Sequence, residues 1–100
     1  MSKLDDEARI TVEANLDDAI RNPEVAERAF KLVLRKQGIE PTIETVLSYV
    51  VGNLHGLVYG FYIHKHGRIL NDDENKDLAD LLRRRAFELR DAFLRTRIEE

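Results

Sequence analysis

The sequence predicts an all-α fold, a four-helix bundle-like domain whose long central helix is notched by glycines and which we expect dimerisation to complete. The central stretch from Thr45 to Ile63 runs nineteen residues without Asp, Glu, Lys or Arg, in a chain where 35% of residues are charged. Apolar residues recur at spacings of three and four through most of the chain, which is the period of a helix. Asn-Pro, Gly and Pro break this pattern at helix-length intervals. Because the chain has 100 residues, we expect one domain over residues 1–100.

Composition limits the possible classes of function. The net charge of −3 gives no overall attraction to nucleic acid or to an anionic membrane, so neither is an expected partner. The absence of cysteine excludes a disulfide framework, a thiolate metal site and cysteine catalysis. The first ten residues lack the apolar core of a signal peptide, so we expect a cytoplasmic protein. The uncharged stretch approaches the roughly 20 residues that span a bilayer, but Asn53 and His55 lie near its midpoint.

The first predicted helix covers residues 2–21. Ser2, or Asp5 and Asp6, can cap its start. A thin apolar stripe follows at spacings of three and four, formed by Ala8, Val12, Leu16 and the pair Ala19 and Ile20. A short strand over residues 9–14 is the competing interpretation, with Ile10, Val12 and Ala14 on one side.

The second predicted helix begins at Asn22 and Pro23, because Asn is a preferred N-cap and Pro suits the first helical position. We expect the Asn22 side chain to accept from the first free amides, and Gly38 to end the helix in the left-handed conformation. The apolar residues form a broad face, made of Val25, Ala26, Ala29, Phe30, Leu32 and Val33.

The third predicted helix begins at Pro41-Thr42, reaches about His64 and ends before Gly67. At 100° per residue, one side forms a strong core face, made of Val46, Leu47, Val50, Leu54, Leu57, Val58 and Phe61. The opposite side carries Tyr49, Gly52, Gly56, Gly60 and Ile63. A helix without a charged face is covered nearly all round, so we expect other helices or a second copy to cover both sides.

The fourth predicted helix starts after Asn71, which can cap it while Glu74 reaches back to the cap residue. The main apolar stripe is formed by Leu78, Leu82, Leu89 and Phe93, flanked by Leu81, Ala86 and Ala92. A second, smaller stripe on the other side is formed by Phe87, Leu94 and Ile98.

Helix length favours self-association. The third and fourth helices would span about 33 and 40 Å at 1.5 Å per residue, which matches or exceeds the width of a compact chain of this size. We therefore predict a homodimer, with another protein as a further possible partner. Its candidate interface residues are Gly52, Gly56, Gly60, Phe87, Leu94 and Ile98.

The glycines on the central helix require a compensating contact, because each costs about 1 kcal/mol relative to Ala inside a helix. A closely packed facing helix is the usual compensation. That helix is either the first or second helix of the same chain or the symmetry-related copy. In both cases, replacing Gly56 by Leu is expected to cost several kcal/mol through overpacking.

A polar seam on the central helix is the best candidate for a ligand pocket. Its members are Ser48, His55, Tyr59 and Tyr62. An imidazole and two phenols could bind a small polar ligand or relay protons. The alternative is that each group is satisfied by a neighbouring polar group, as buried polar groups normally are.

Two patterns could hold a metal, although we expect no metal ligand and no cofactor. In His64-Lys65-His66 the histidines are two residues apart and point in different directions on a helix. Glu24-x-x-Glu27 and Glu74-x-x-Asp77 resemble the magnesium-binding pairs of all-α nucleoside-triphosphate pyrophosphohydrolases. In that family the pairs lie on consecutive helices, whereas here the whole central helix intervenes, and we do not assign the family.

The run Arg83-Arg84-Arg85 is the densest basic segment and could contact phosphate or simply be solvated. Arg85 differs from its neighbours because it falls inside the apolar stripe of the fourth helix. We expect it to extend to the rim or to form a buried ion pair with an acid such as Glu13, Asp17 or Glu44.

These observations predict a self-associating interaction or regulatory module without catalysis of its own. The first alternative is a small-molecule or metal-dependent helical enzyme of the nucleotide-hydrolysing type, centred on His55, Tyr59 and Tyr62. The second is a nucleic-acid-binding accessory protein that uses Lys65, Arg68 and the arginine run at 83–85.

Overall fold

Four helices make up the part of the chain that the structure describes. A computed structural model gives the backbone of residues 3–99 and the side chains of residues 3–96. Over that range the chain forms α1 (Asp6–Arg21), α2 (Pro23–Lys36), α3 (Ile43–His66) and α4 (Asp72–Glu99), with no strand. The prediction of an all-α, four-helix bundle-like fold is confirmed. The alternative strand over residues 9–14 is wrong, because the apolar residues at spacings of four share one buried side of α1.

Three of the four helix starts have side-chain caps. The Asp5 side chain accepts from the amides of Glu7 and Ala8 at the start of α1. Thr42 and Thr45 cap α3 reciprocally, and a capping box precedes α4.

The capping box of α4 is formed by Asn71 and Glu74, as predicted. The Glu74 amide donates to Asn71 Oδ1 at 2.8 Å, and the Asn71 amide donates to the Glu74 carboxylate at 2.9 Å. The predicted Asn22 cap is wrong. Its backbone ψ of 62° lies outside the extended range of a capping residue, and its side chain makes no cap hydrogen bond.

The core is organised on one row of α3. Val46, Val50, Leu54, Val58 and Tyr62 follow one another at spacings of four, and none is more than 6% exposed. The facing residues of α4 are the predicted stripe, with Leu78, Leu82, Leu89 and Phe93 all buried. Burial contributes roughly 1.5–3 kcal/mol for each large apolar side chain of this row.

α3 and α4 form a long helical hairpin, and α1 and α2 pack against it. α3 and α4 pack against each other, and the consecutive helices α1 and α2 each contact both of them. The described chain measures 45 × 26 × 18 Å, with a radius of gyration of 14.4 Å. The longest dimension matches the roughly 42 Å expected of the 28-residue α4.

Two predicted core faces are only partly buried. On α2, Val25 and Leu32 are 66% and 54% exposed, whereas Glu27 and Leu34 are buried. α2 is rotated about its own axis by about a quarter of a turn relative to the predicted orientation. Glu27 is therefore buried, and its charge is paired with Lys31 at 2.7 Å.

On α3 the deviation is smaller. Leu57, predicted for the core, is 46% exposed, because it lies at the edge of the buried row. On α4, Phe87 and Leu94 are exposed, as expected for a surface stripe, and the side chain of Ile98 lies outside the described residues.

Candidate interaction surface

The side of α3 opposite the core row is open. Gly52, Gly56 and Gly60 are exposed, and a Cβ built on any of them meets no atom of the described residues within 4 Å. The same side carries Ile63, which is 58% exposed. We call the side that bears these three glycines and Ile63 the glycine face. α3 is also long and apolar enough to cross a membrane, and 28% of its most apolar window is buried in the chain.

The position of the glycine face excludes one of the two explanations for its glycines. Neither α1 nor α2 covers the three glycines, since a Cβ added at any of them meets no atom of another described segment within 4 Å. Tyr49, which the sequence placed on this side, is instead partly buried and packs against Phe30 of α2, so α2 reaches only the edge of this side. The alternative of close packing within the chain is therefore wrong. The predicted overpacking of a leucine at Gly56 within a single chain is wrong for the same reason, since that position is open.

The borders of the glycine face are defined by contacts with neighbouring helices. On the α2 side, the rings of Phe30 and Tyr49 lie 5.5 Å apart. On the α4 side, His55 and Arg83 line a shallow groove of about 290 Å³. The remaining lining of this groove is mainly apolar and consists of Val51, Ala79, Leu82 and Ala86. The glycine face thus continues across the groove onto α4.

The four residues of the predicted polar seam lie in different surroundings. Tyr62 is fully buried, and its hydroxyl accepts a 2.7 Å hydrogen bond from the Asp5 amide. Burial raises the pKa of Tyr62 above its ordinary value. The Tyr59 hydroxyl donates to Asn75 Oδ1 at 3.0 Å. His55 stacks on Tyr59 with ring centres 4.7 Å apart, while Ser48 is exposed.

The Asp5 carboxylate binds several polar side chains at one end of the bundle. Its carboxylate lies 3.0 Å from Lys65 Nζ and 2.9 Å from His66 Nε2. Burial raises the pKa of Asp5, but the hydrogen bonds from Lys65, His66 and the backbone amides of Glu7 and Ala8 outweigh it and lower the pKa to about 2. The sequence marked Asp5 only as a possible cap, because its partners lie some sixty residues away.

The two sequence patterns that could hold a metal do not converge on one site among residues 3–96. Among residues 3–96, no group of three or more His, Cys, Asp or Glu side chains could hold a metal ion. His66 binds Asp5, whereas His64 is exposed.

The two acidic pairs lie at opposite ends of α4. Glu27 is within 3.4 Å of Thr96, while Glu74 binds Arg68 at 2.7 Å near the start of that helix. The hydrogen bonds from Arg68 are the main cause of the lowered pKa of Glu74, about 2.

Arg85 forms an ion pair with two of the three acids named for it, but the pair is not buried as predicted, because both acids are at least 42% exposed. Its Nη1 lies 3.1 Å from Glu13, and its guanidinium also binds Asp17 and Glu88. The hydrogen bond that the Arg85 guanidinium donates to Asp17 is the main cause that raises the pKa of Arg85. The third acid, Glu44, lies 4.0 Å from Arg90 instead.

The candidate nucleic-acid residues are largely paired within the chain. Lys65 binds Asp5 and Glu7, and Arg68 binds Glu74. Arg83, which is 74% exposed, approaches Asp80 at 3.9 Å. These carboxylates reduce the positive field that a phosphate backbone would require.

Comparison with family models, with curated proteins and with solved structures finds no match for this chain.

Proposed function

We propose that the protein is a self-associating module in which a second copy of the chain covers the glycine face of α3. The observation that supports this is the contrast between α3 and the rest of the surface. In a chain where 35% of residues are charged, this exposed side has no charged residue from Thr45 to Ile63. Open glycines and exposed apolar side chains on one helix face are typical of a surface that packs against another helix.

A second copy fits the size of the available surface. α3 has 24 residues and is therefore about 36 Å long. With helices about 10 Å wide, the open side of the α3–α4 hairpin offers roughly 700 Å². Two copies would bury about 1,400 Å² in total, which lies within the range of stable specific interfaces.

A second copy also fits the chemistry of the surface. A charged partner would lose hydration against an uncharged helix without gaining an ion pair. Another glycine face brings no such cost, and the glycines allow two backbones to approach closely, which increases van der Waals contact. Phe87 and Leu94 extend the apolar surface on α4.

Sedimentation velocity over about 1 to 300 µM tests the proposal, since this range spans weak to moderate dissociation constants. The wild type should rise above the monomer mass of 11.6 kDa as concentration increases. Gly56→Leu should stay monomeric with an unchanged circular dichroism spectrum, because its side chain has room in the single chain. Ala14→Leu is the matched control, since Ala14 is exposed on α1, and it should associate like the wild type.

Three outcomes would contradict the proposal. The first is a wild type that remains monomeric over the whole range, and the second is a Gly56→Leu variant that associates as strongly as the wild type. The third is a monomer that floats with phosphatidylcholine vesicles, which would show that the glycine face binds lipid.

A further inference from the structure

The helix α2 exposes an apolar stripe on one side and buries charge on the other. Val25, Ala29 and Leu32 follow one another at spacings of four and three and form one stripe along the exposed side. The opposite side is turned into the chain and carries the ion pair of Glu27 and Lys31. An amphipathic helix normally turns its apolar stripe inward and its charges outward. Both departures cost stability, and such departures are expected at functional surfaces.

The exposed charges beside this stripe are mainly basic. They are Arg28, Arg35 and Lys36 against Glu24. At 100° per residue, Arg28 and Arg35 border the stripe on one side, and Lys36 lies at its end. Within residues 3–96, no carboxylate lies at ion-pair distance from any of these three cations. All three therefore remain available to an anionic partner.

We propose that this apolar stripe and its three cations, together called the α2 face, dock an acidic amphipathic helix of a partner protein. Apolar side chains of that helix pack along the stripe, and its carboxylates pair with Arg28 and Arg35 at the border. α2 has 14 residues and is about 21 Å long, so the contact is small and should be weak and reversible. The α2 face is separate from the glycine face, and docking there does not depend on self-association.

The charges of the chain disfavour the other occupants of the α2 face. A second copy would have to present α1, the helix with the largest excess of acids. Three of the four exposed acids of α1 already bind a cation of their own chain. An anionic membrane is disfavoured because lipid-binding clusters usually hold about four to eight basic residues, more than the α2 face offers. The net charge of −3 also opposes approach to such a membrane.

Titration of the ¹⁵N-labelled chain with a designed peptide tests the proposal. The probe is an acetylated and amidated helical peptide of about 18 residues, long enough to span α2, with leucine on one side and glutamate on the other. The amide signals of α2 should shift, and binding should weaken several-fold between about 0.05 and 0.5 M salt. The same peptide with lysine in place of glutamate should cause no shift. Gly56→Leu should bind the acidic peptide like the wild type, which separates the α2 face from the glycine face.

Matched substitutions at exposed positions locate the contact. Leu32→Gln should weaken peptide binding about five-fold through lost apolar burial, whereas Ile10→Gln on α1 should leave the dissociation constant unchanged. Arg28→Glu combined with Arg35→Glu should weaken binding strongly at low salt and little at high salt. Arg84→Glu, at an exposed position of α4, is the charge control and should bind like the wild type. Circular dichroism should show the same helix content in every variant.

Several results would overturn the proposal. If the α2 signals stay fixed with the acidic peptide, or move equally with the basic one, the α2 face does not select an acidic partner. Wild-type binding by Leu32→Gln would exclude the apolar contact. Shifts of the α2 signals with protein concentration alone would assign the α2 face to a second copy. Co-sedimentation with phosphatidylserine vesicles that Arg28→Glu abolishes would assign it to lipid.

Discussion

The hydroxyl of Tyr62 accepts a 2.7 Å hydrogen bond from the backbone amide of Asp5. This contact joins the last member of the buried row of α3 to the residue that caps α1. It fixes the start of α1 against the C-terminal end of α3, because the Asp5 side chain also binds Lys65 and His66 there. These contacts hold α1 against the buried side of α3. The glycine face is therefore left open.

Removing this hydroxyl should destabilise the fold. Tyr62→Phe leaves the Asp5 amide without its partner, so we expect a loss of about 1–2 kcal/mol in the free energy of unfolding. Urea denaturation measures this loss in the free energy of unfolding. Tyr59→Phe is the control, and it should cost less because water can replace the partner of its more exposed hydroxyl. Equal losses in both variants would contradict the role assigned to Tyr62.

The Arg85 cluster should contribute measurable stability. Arg85→Met leaves three carboxylates near one another without their cation, so we expect a loss of about 1–2 kcal/mol, limited by the exposure of those carboxylates. Arg85→Lys should fall between this variant and the wild type, because one ammonium cannot bridge three acids. Arg84→Met, at an exposed site, should stay within about 0.5 kcal/mol of the wild type. A wild-type urea midpoint for Arg85→Met would show that the cluster adds no stability.

Stability should decrease in acid. The pKa values of Asp5 and Glu74 are lowered to about 2, from ordinary values of 3.8 and 4.5. A carboxyl group with a lowered pKa stabilises the fold above its unfolded pKa, and this contribution is lost as the pH falls through the folded pKa. We therefore expect urea midpoints to decline between about pH 4.5 and pH 2. Glu74→Gln should reduce that decline, whereas Glu24→Gln, at an exposed position, should preserve it.

Local sequence signals identified the four helices, the caps at Asp5 and Asn71 and much of the core, but not the missing cap at Asn22. The spacing on α4 identified its buried stripe, and the position of Arg85 inside that stripe indicated an ion pair, for which two of the three named acids are partners. The orientation of α2 could not be predicted, because Glu27 is buried only through partners that the tertiary fold provides. The glycines at 52, 56 and 60 indicated a close contact, but spacing alone could not show that no helix of the same chain covers them.

Two alanine substitutions should have opposite effects on the isolated chain. Gly56→Ala should stabilise the dilute monomer by about 1 kcal/mol, since the new Cβ has room and Ala favours the helix. Gly67→Ala should destabilise it by about 1–2 kcal/mol, because Gly67 ends α3 with φ 67° in the left-handed region. The melting temperatures of the two variants and the wild type, measured at submicromolar concentration, test both expectations. A lower melting temperature for Gly56→Ala would indicate an intrachain contact at the glycine face.

Isotope-filtered nuclear Overhauser measurements on a 1:1 mixture of ¹³C-labelled and unlabelled chains test most directly whether a second copy covers the glycine face. They report only contacts between copies. We expect intermolecular contacts from the Ile63 methyl groups and from the glycine protons at position 56. Intermolecular contacts confined to residues outside α3, with none from these two positions in an associated sample, would contradict the proposed interface.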